Sequence, residues 1–133
     1  MASALAIALA CGCGGEAGTT RTATAEGTKP PPPTPSLRPA RCPAGVAGCR
    51  VATGRIIYVE RVDPDGDGDA HFVLASRASI TAPGISAIDV RRGLRPKPLP
   101  TLGDRVSAAG PVEVGSYGQR QIHAVRLRVA ERP

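Results

Sequence analysis

Residues 63–72 read DPDGDGDAHF, and the rest of the folded chain can be placed around this stretch. Its closely spaced aspartates and glycines are typical of a sharp turn. Glycine tolerates left-handed backbone, and aspartate hydrogen-bonds to its own backbone. A β-branched run, residues 55–62, precedes the turn, and an apolar run, residues 71–76, follows it. The pattern predicts a β-hairpin with aspartates at its tip.

Three further stretches have the features of strands: residues 85–90, 105–114 and 121–130. No stretch has a helical period of useful length, and the prolines in residues 91–100 exclude a regular helix there. Five short strands favour a small all-β barrel, because closure removes exposed strand edges. Gly54 and Gly110 would allow their strands to bend at the corners of such a barrel.

The period of two also assigns side chains to faces. In residues 105–114 it places Val114 on the apolar face and Ser107 on the polar face. In residues 121–130, His123 is in phase with apolar residues, so we expect it to face the barrel interior or mouth. Phe72 is the one large aromatic expected in the core.

The composition limits the range of functions. The net charge is +6, which favours anionic partners, but the basic residues are scattered rather than concentrated as in a nucleic-acid footprint. Nucleic acid is therefore a disfavoured partner. No serine lies in a recognisable nucleophile motif, so we expect a protein that is not an enzyme.

The N-terminal residues 1–13 predict export. Residues 1–10 are apolar but too short to span a bilayer, and they fit the centre of a signal peptide. The run ALACGCGG resembles a bacterial lipoprotein box, which implies lipidation at Cys11 or Cys13 and a membrane anchor on the extracytoplasmic face. The alternative is an apolar terminus with incidental thiols.

Residues 14–41 are rich in proline and threonine and predict a disordered linker. Cys42 and Cys49 follow, and we expect them to form a disulfide in an exported protein, because two thiolates alone make a poor zinc site. The folded domain is then residues 42–133.

A resemblance adds to this interpretation. The run Asp67-Gly68-Asp69-Ala70-His71, with the later Gly103-Asp104-Arg105-Val106 and Gln121-Ile122-His123-Ala124-Val125, resembles a DGDxH pattern of bacterial exported OB-fold-like domains. Ala124 stands where those domains typically have proline. The resemblance implies a five-stranded OB-like barrel, a fold that binds oligonucleotides or oligosaccharides on its face and loops. This resemblance in fold does not by itself establish a function.

The aspartates suggest calcium as a cofactor. Asp63, Asp65, Asp67 and Asp69 match the first half of a calcium loop, although Leu74 stands where that loop requires glutamate. The alternative is a solvated hairpin turn. The two histidines, His71 and His123, could form a metal or acid–base site with Asp69, or simply be hydrogen-bonded structural residues.

Two surface features are candidate ligand sites. The densest basic stretch contains Arg91, Arg92, Arg95 and Lys97, and a glycine-flanked loop carries Tyr117. They suggest a binding or structural module of the cell envelope whose partner is an anionic polymer or a protein. A calcium-stabilised extracellular domain and a nucleic-acid-binding OB domain are the alternatives, and solvating charges around a proline loop are the simplest interpretation of the basic stretch.

Overall fold

A computed structural model describes residues 36–60 and 66–130 of the chain. The predicted signal peptide, Cys11, Cys13, linker residues 14–35, Asp63 and Asp65 lie outside the described residues. In chain order the elements are β1 Cys49–Val59, β2 Ala70–Ser76, β3 Ile85–Val90, a 3₁₀ helix Arg92–Leu94, β4 Arg105–Val114, β5 Arg120–His123 and β6 Arg126–Val129.

The strands close into a five-stranded barrel of order β1-β2-β3-β5-β4, with β4 paired back onto β1. β3 and β5 are parallel, and the other pairings are antiparallel. The short β6 is added to β4 beyond the end of β5. The predicted all-β, OB-like barrel is confirmed.

The barrel core is built from aliphatic side chains around a single aromatic. Phe72 is fully buried, as predicted, between Val59 of β1 and Ile88 of β3. The fully buried side chains Leu74, Ile122 and Val106 extend this core across β2, β5 and β4. Every barrel strand therefore contributes to one hydrophobic interior, which is the main stabilising term for so small a domain.

Strand β1 begins earlier than predicted and contains a bulge. It starts at Cys49 rather than at residue 55 and, among the described residues, ends at Val59. Ile56 pairs with Leu74, but Tyr58 pairs with Val73, so Ile57 is an extra residue in β1. A bulge reverses the inward–outward alternation beyond it. Tyr58 therefore points outward, although the side chain of Ile56, two residues earlier, is buried.

The predicted single strand 121–130 is wrong, because it is two strands, β5 and β6. β4 pairs Val112 with Ile122 but Ala109 with Arg126, so the chain around Ala124 holds one extra residue. The side-chain phase shifts there, and Ile122 rather than His123 fills the core. Of the two positions predicted for His123, the barrel interior or its mouth, the interior is wrong, because the side chain lies beside Asp89 on the outer face.

Two residues of β4 differ in burial from what their faces predict. Val114 is exposed, because it lies at the end of β4, opposite Arg120 beside the β4–β5 loop. Ser107 is fully buried, although its side chain points away from the core. Its Oγ lies 2.6 Å from Thr53 Oγ1 and accepts the backbone N–H of Ala40 at 2.8 Å. Residues before the expected domain boundary thus cover β1 and β4.

Gly54 and Gly110 lie where strands approach closely. A Cβ at Gly54 would meet the Ala75 carbonyl, and one at Gly110 would meet the His123 carbonyl. Both glycines allow backbone contact between neighbouring strands, and the expectation that they let their strands bend stays a prediction. The predicted disulfide between Cys42 and Cys49 is present and links the preceding segment to the first residue of β1.

Candidate ligand-binding site

Two parallel rows of side chains cross the outer face of four adjacent strands. Cross-strand pairing aligns Tyr58, Val73, Ala87 and Gln121 in one row. The next row contains Glu60, His71, Asp89 and His123, one from each of the segments containing β1, β2, β3 and β5. Because paired residues point to the same face, each row forms a continuous strip on the barrel surface.

The second row alternates carboxylates and imidazoles. Glu60 Oε2 lies 2.7 Å from His71 Nδ1, and His71 Nε2 lies 3.6 Å from Asp89 Oδ1. Asp89 Oδ2 lies 2.8 Å from His123 Nδ1. Asp89 is buried, and its Oδ1 has no hydrogen-bond partner among the described residues. Contacts between neighbouring side chains of this row therefore link four strands.

The first row is the floor of a groove of about 640 Å³, which we call the tyrosine groove. Tyr58 is 56% exposed and Tyr117 is 81% exposed, and both line it. Glu60, Asp69 and His71 lie at its polar end. No arginine or lysine from the described part of the chain lines this groove.

The loop that carries Tyr117, residues 115–119, is held by amide side chains. Gln119 Oε1 accepts the backbone N–H of Tyr117 at 3.0 Å, and Gln119 Nε2 donates to Gln121 Oε1 at 2.9 Å. Gly118 has a φ of 77°, which suits glycine in a tight turn. The floor of the groove and the loop above it are thus connected by a side-chain hydrogen bond, so Tyr117 is presented from an anchored turn.

The described aspartates of the turn hold two loops together. Asp67 Oδ1 accepts the backbone N–H of Asp69 at 2.8 Å, and Asp69 Oδ1 accepts that of Arg92 at 2.8 Å. Arg95 Nη1 donates to the Gly68 carbonyl at 2.7 Å. Within residues 36–60 and 66–130, no group of three or more candidate ligands is arranged to hold a metal ion. The calcium site stays a prediction, since Asp63 and Asp65 lie outside the described residues.

The predicted basic site is separate from the tyrosine groove. Arg92, Arg95 and Lys97 line a hollow of about 370 Å³, whereas Tyr117 lines the groove. Arg91 precedes the 3₁₀ helix and lines neither of the two. Four of the five predicted ligand-binding residues are therefore divided between two places on the barrel, and the fifth, Arg91, lines neither of them.

The sequence interpretation did not place Glu60 and Asp89 in a row with the two histidines. The sequence gives little indication of this row, because its four members are far apart along the chain: Glu60, His71, Asp89 and His123. The available clue was that His71 begins the predicted strand 71–76, whereas Asp89 is near the end of the next predicted strand, 85–90. An antiparallel pairing would bring those two ends together.

The fold and the groove together define a small OB-like barrel with a candidate binding face. No protein-family model matches this chain, and comparison with curated proteins also finds no match. Within the described residues, no helix has the length and apolar character needed to cross a membrane.

Proposed function

We propose that this protein is a lipid-tethered, extracytoplasmic module that binds an extended glycan in the tyrosine groove without changing it chemically. The observation that carries the proposal is the groove itself, with two exposed tyrosines beside a continuous strip of side chains. OB-type barrels bind oligosaccharides on this kind of face. Export and lipidation at Cys11 or Cys13 are part of the same proposal and are supported by the sequence pattern of residues 1–13.

The form of the groove favours a glycan over an extended peptide. Where the floor crosses β2, β3 and β5, at Val73, Ala87 and Gln121, each strand is paired on both sides, so a peptide has no free strand edge to extend there. Recognition must come from side chains. The flat rings of Tyr58 and Tyr117 can lie against sugar rings, while Gln119, Gln121 and Thr81 provide amide and hydroxyl groups.

The charge of the groove favours an uncharged glycan over an anionic one. Glu60 and Asp69 line its polar end, with no arginine or lysine of the described residues to oppose them. An anionic envelope polymer is better matched to the hollow lined by Arg92, Arg95 and Lys97. The same lack of cationic partners disfavours nucleic acid in the groove, because phosphate contacts dominate that kind of binding.

The test is an NMR titration of the isotopically labelled full chain with two matched ligands. A chitin oligosaccharide is uncharged, and a hyaluronan oligosaccharide shares its N-acetylglucosamine units but is anionic. We expect the chitin oligosaccharide to shift amide signals of Val73, Ala87 and Gln121, and the hyaluronan oligosaccharide to bind more weakly. Chitin shifts confined to other parts of the barrel would contradict the proposal.

A matched set of variants tests the role of the tyrosines. Tyr117→Ala and Tyr58→Ala should each weaken binding about tenfold, which corresponds to about 1.4 kcal/mol. Leu102→Ala is the control, because Leu102 is 67% exposed but does not line the groove. If all three variants bind equally well, the groove is not the binding site.

A further inference from the structure

A second surface, away from the tyrosine groove, is strongly basic. Arg41, Arg126 and Arg128 are exposed and line a hollow of about 480 Å³ beside the disulfide residue Cys42. Leu127 and Val129 pack against the core from β6, so the alternation of the strand directs Arg126 and Arg128 outward. We call these three arginines the arginine patch.

The arginine patch has a single sign of charge. No acidic residue of the described chain lines its hollow, and none of its arginines takes part in an ion pair within residues 36–60 and 66–130. By contrast, Glu60 and Asp69 line the tyrosine groove. The described barrel thus separates a basic surface from a groove whose polar end is acidic, and a basic surface attracts polyanions.

The arginine patch lies across the barrel from the groove. The groove floor is centred on β2 and β3, whereas Arg126 and Arg128 pair with residues of β4. In a barrel of order β1-β2-β3-β5-β4, strand β4 lies opposite the β2–β3 pair. The chain reaches the barrel beside this patch, since Ala40 packs on Ser107, the cross-strand partner of Arg128.

We infer that the arginine patch is a docking surface for anionic phospholipid headgroups of the membrane to which the protein is tethered. The inference rests on the lipid anchor of the proposed function. The stretch from Cys11 to Arg41 can span at most about 100 Å, so the tether keeps the patch at high effective concentration near the bilayer. A modest attraction between each arginine and the lipid headgroups is then sufficient for docking. Docking through this patch leaves the tyrosine groove directed away from the membrane.

The test uses the full chain with Cys11→Ser and Cys13→Ser, so that no lipid contributes to binding. Partition is measured by sedimentation with vesicles of phosphatidylcholine alone and of equal parts phosphatidylcholine and phosphatidylglycerol. The variant is Arg126→Gln with Arg128→Gln. The control is Arg77→Gln with Arg120→Gln, which removes the same charge from exposed positions that do not line the patch.

The expected result is binding to the anionic vesicles alone, reduced roughly 30-fold in the patch variant and only a few-fold in the control. Equal losses in the two variants would show an effect of net charge and overturn the inference, as would equal binding to both kinds of vesicle or binding to neither. Binding of soluble polyphosphate that requires Arg126 and Arg128, without vesicle binding, would also overturn it.

The test separates this inference from the proposed function. Tyr117→Ala should leave vesicle partition unchanged, and the patch variant should leave the chitin titration unchanged. The patch variant should also keep the thermal unfolding midpoint of the parent chain, because both arginines are exposed. If vesicle binding fails while the groove binds its glycan, only the docking surface is refuted.

Discussion

Replacing Phe72 with alanine tests the assignment of the core. Phe72 is fully buried, and its cross-strand partners are Val59 and Ile88. Removal of a buried phenylalanine side chain costs about 3–5 kcal/mol, depending on how far the site can collapse. Here β2 is hydrogen-bonded to strands on both sides in a closed barrel, which restricts collapse. We therefore expect a loss of at least about 4 kcal/mol, in the upper half of that range.

A loss of this size is large for a small domain. Domains of this kind are stable by about 5–15 kcal/mol in total, and a 4 kcal/mol loss lowers the melting temperature of one of about 100 residues by roughly 15–30 °C. The assay is urea unfolding of the full chain, monitored by circular dichroism. The slope of the free energy of unfolding against urea concentration is compared between variants. If this slope is unchanged while the midpoint falls, the substitution has lowered the stability and has not changed the compactness of the unfolded state.

Two matched variants make the measurement decisive. Phe72→Leu retains most of the apolar volume and should cost less than about 1.5 kcal/mol. Tyr58→Ala removes an aromatic of similar size from the neighbouring strand, but its side chain is 56% exposed, so the loss should be below about 1 kcal/mol. If Phe72→Ala is no more destabilising than Tyr58→Ala, the side chain of Phe72 does not stabilise the core as assigned.

Other changes test separate features of the barrel by the same unfolding assay. Asp89→Asn should cost about 1–2 kcal/mol, since it weakens the contacts with both histidines, whose partly exposed rings water can solvate; unchanged stability would contradict a stabilising role for this row. Gly110→Ala should cost about 1–3 kcal/mol or more, because its Cβ meets backbone of β5. Replacing Cys42 and Cys49 with alanine should cost about 2–3 kcal/mol, and a reducing agent should destabilise only the parent chain. Asp67→Ala should cost about 0.5–1 kcal/mol without calcium; a melting temperature raised by millimolar calcium and insensitive to calcium in the variant would support the calcium site.

The strand pattern and the disulfide were accessible from the amino-acid sequence, because they depend on local or compositional features. The stretch Ile85–Val90 and the stretch Arg105–Val114 were predicted at the bounds that the structure has. Both have turn or proline signals before them. The burial of Phe72 was predicted because the chain contains only one large wholly apolar aromatic. The pairing of Cys42 with Cys49 followed from the small number of cysteines.

The bulges and the cross-strand rows could not be found in the same way. The extra residue at Ile57 and the one near Ala124 change the phase of their strands, and a period-two pattern read along one strand does not detect them. The phase change makes Tyr58 part of the groove and places His123 beside Asp89. A bulge is defined by the register with the partner strand, which is a tertiary property.

By itself, the sequence determined that the chain forms short strands around an aliphatic interior, with an aspartate turn between the first two. Each of those properties depends on neighbouring residues, through backbone preference or hydrophobic alternation. Only the tertiary structure decided which residues share a surface. The side chains of Glu60, His71, Asp89 and His123 meet because barrel closure and strand register bring four separate segments together, and no local preference encodes that alignment.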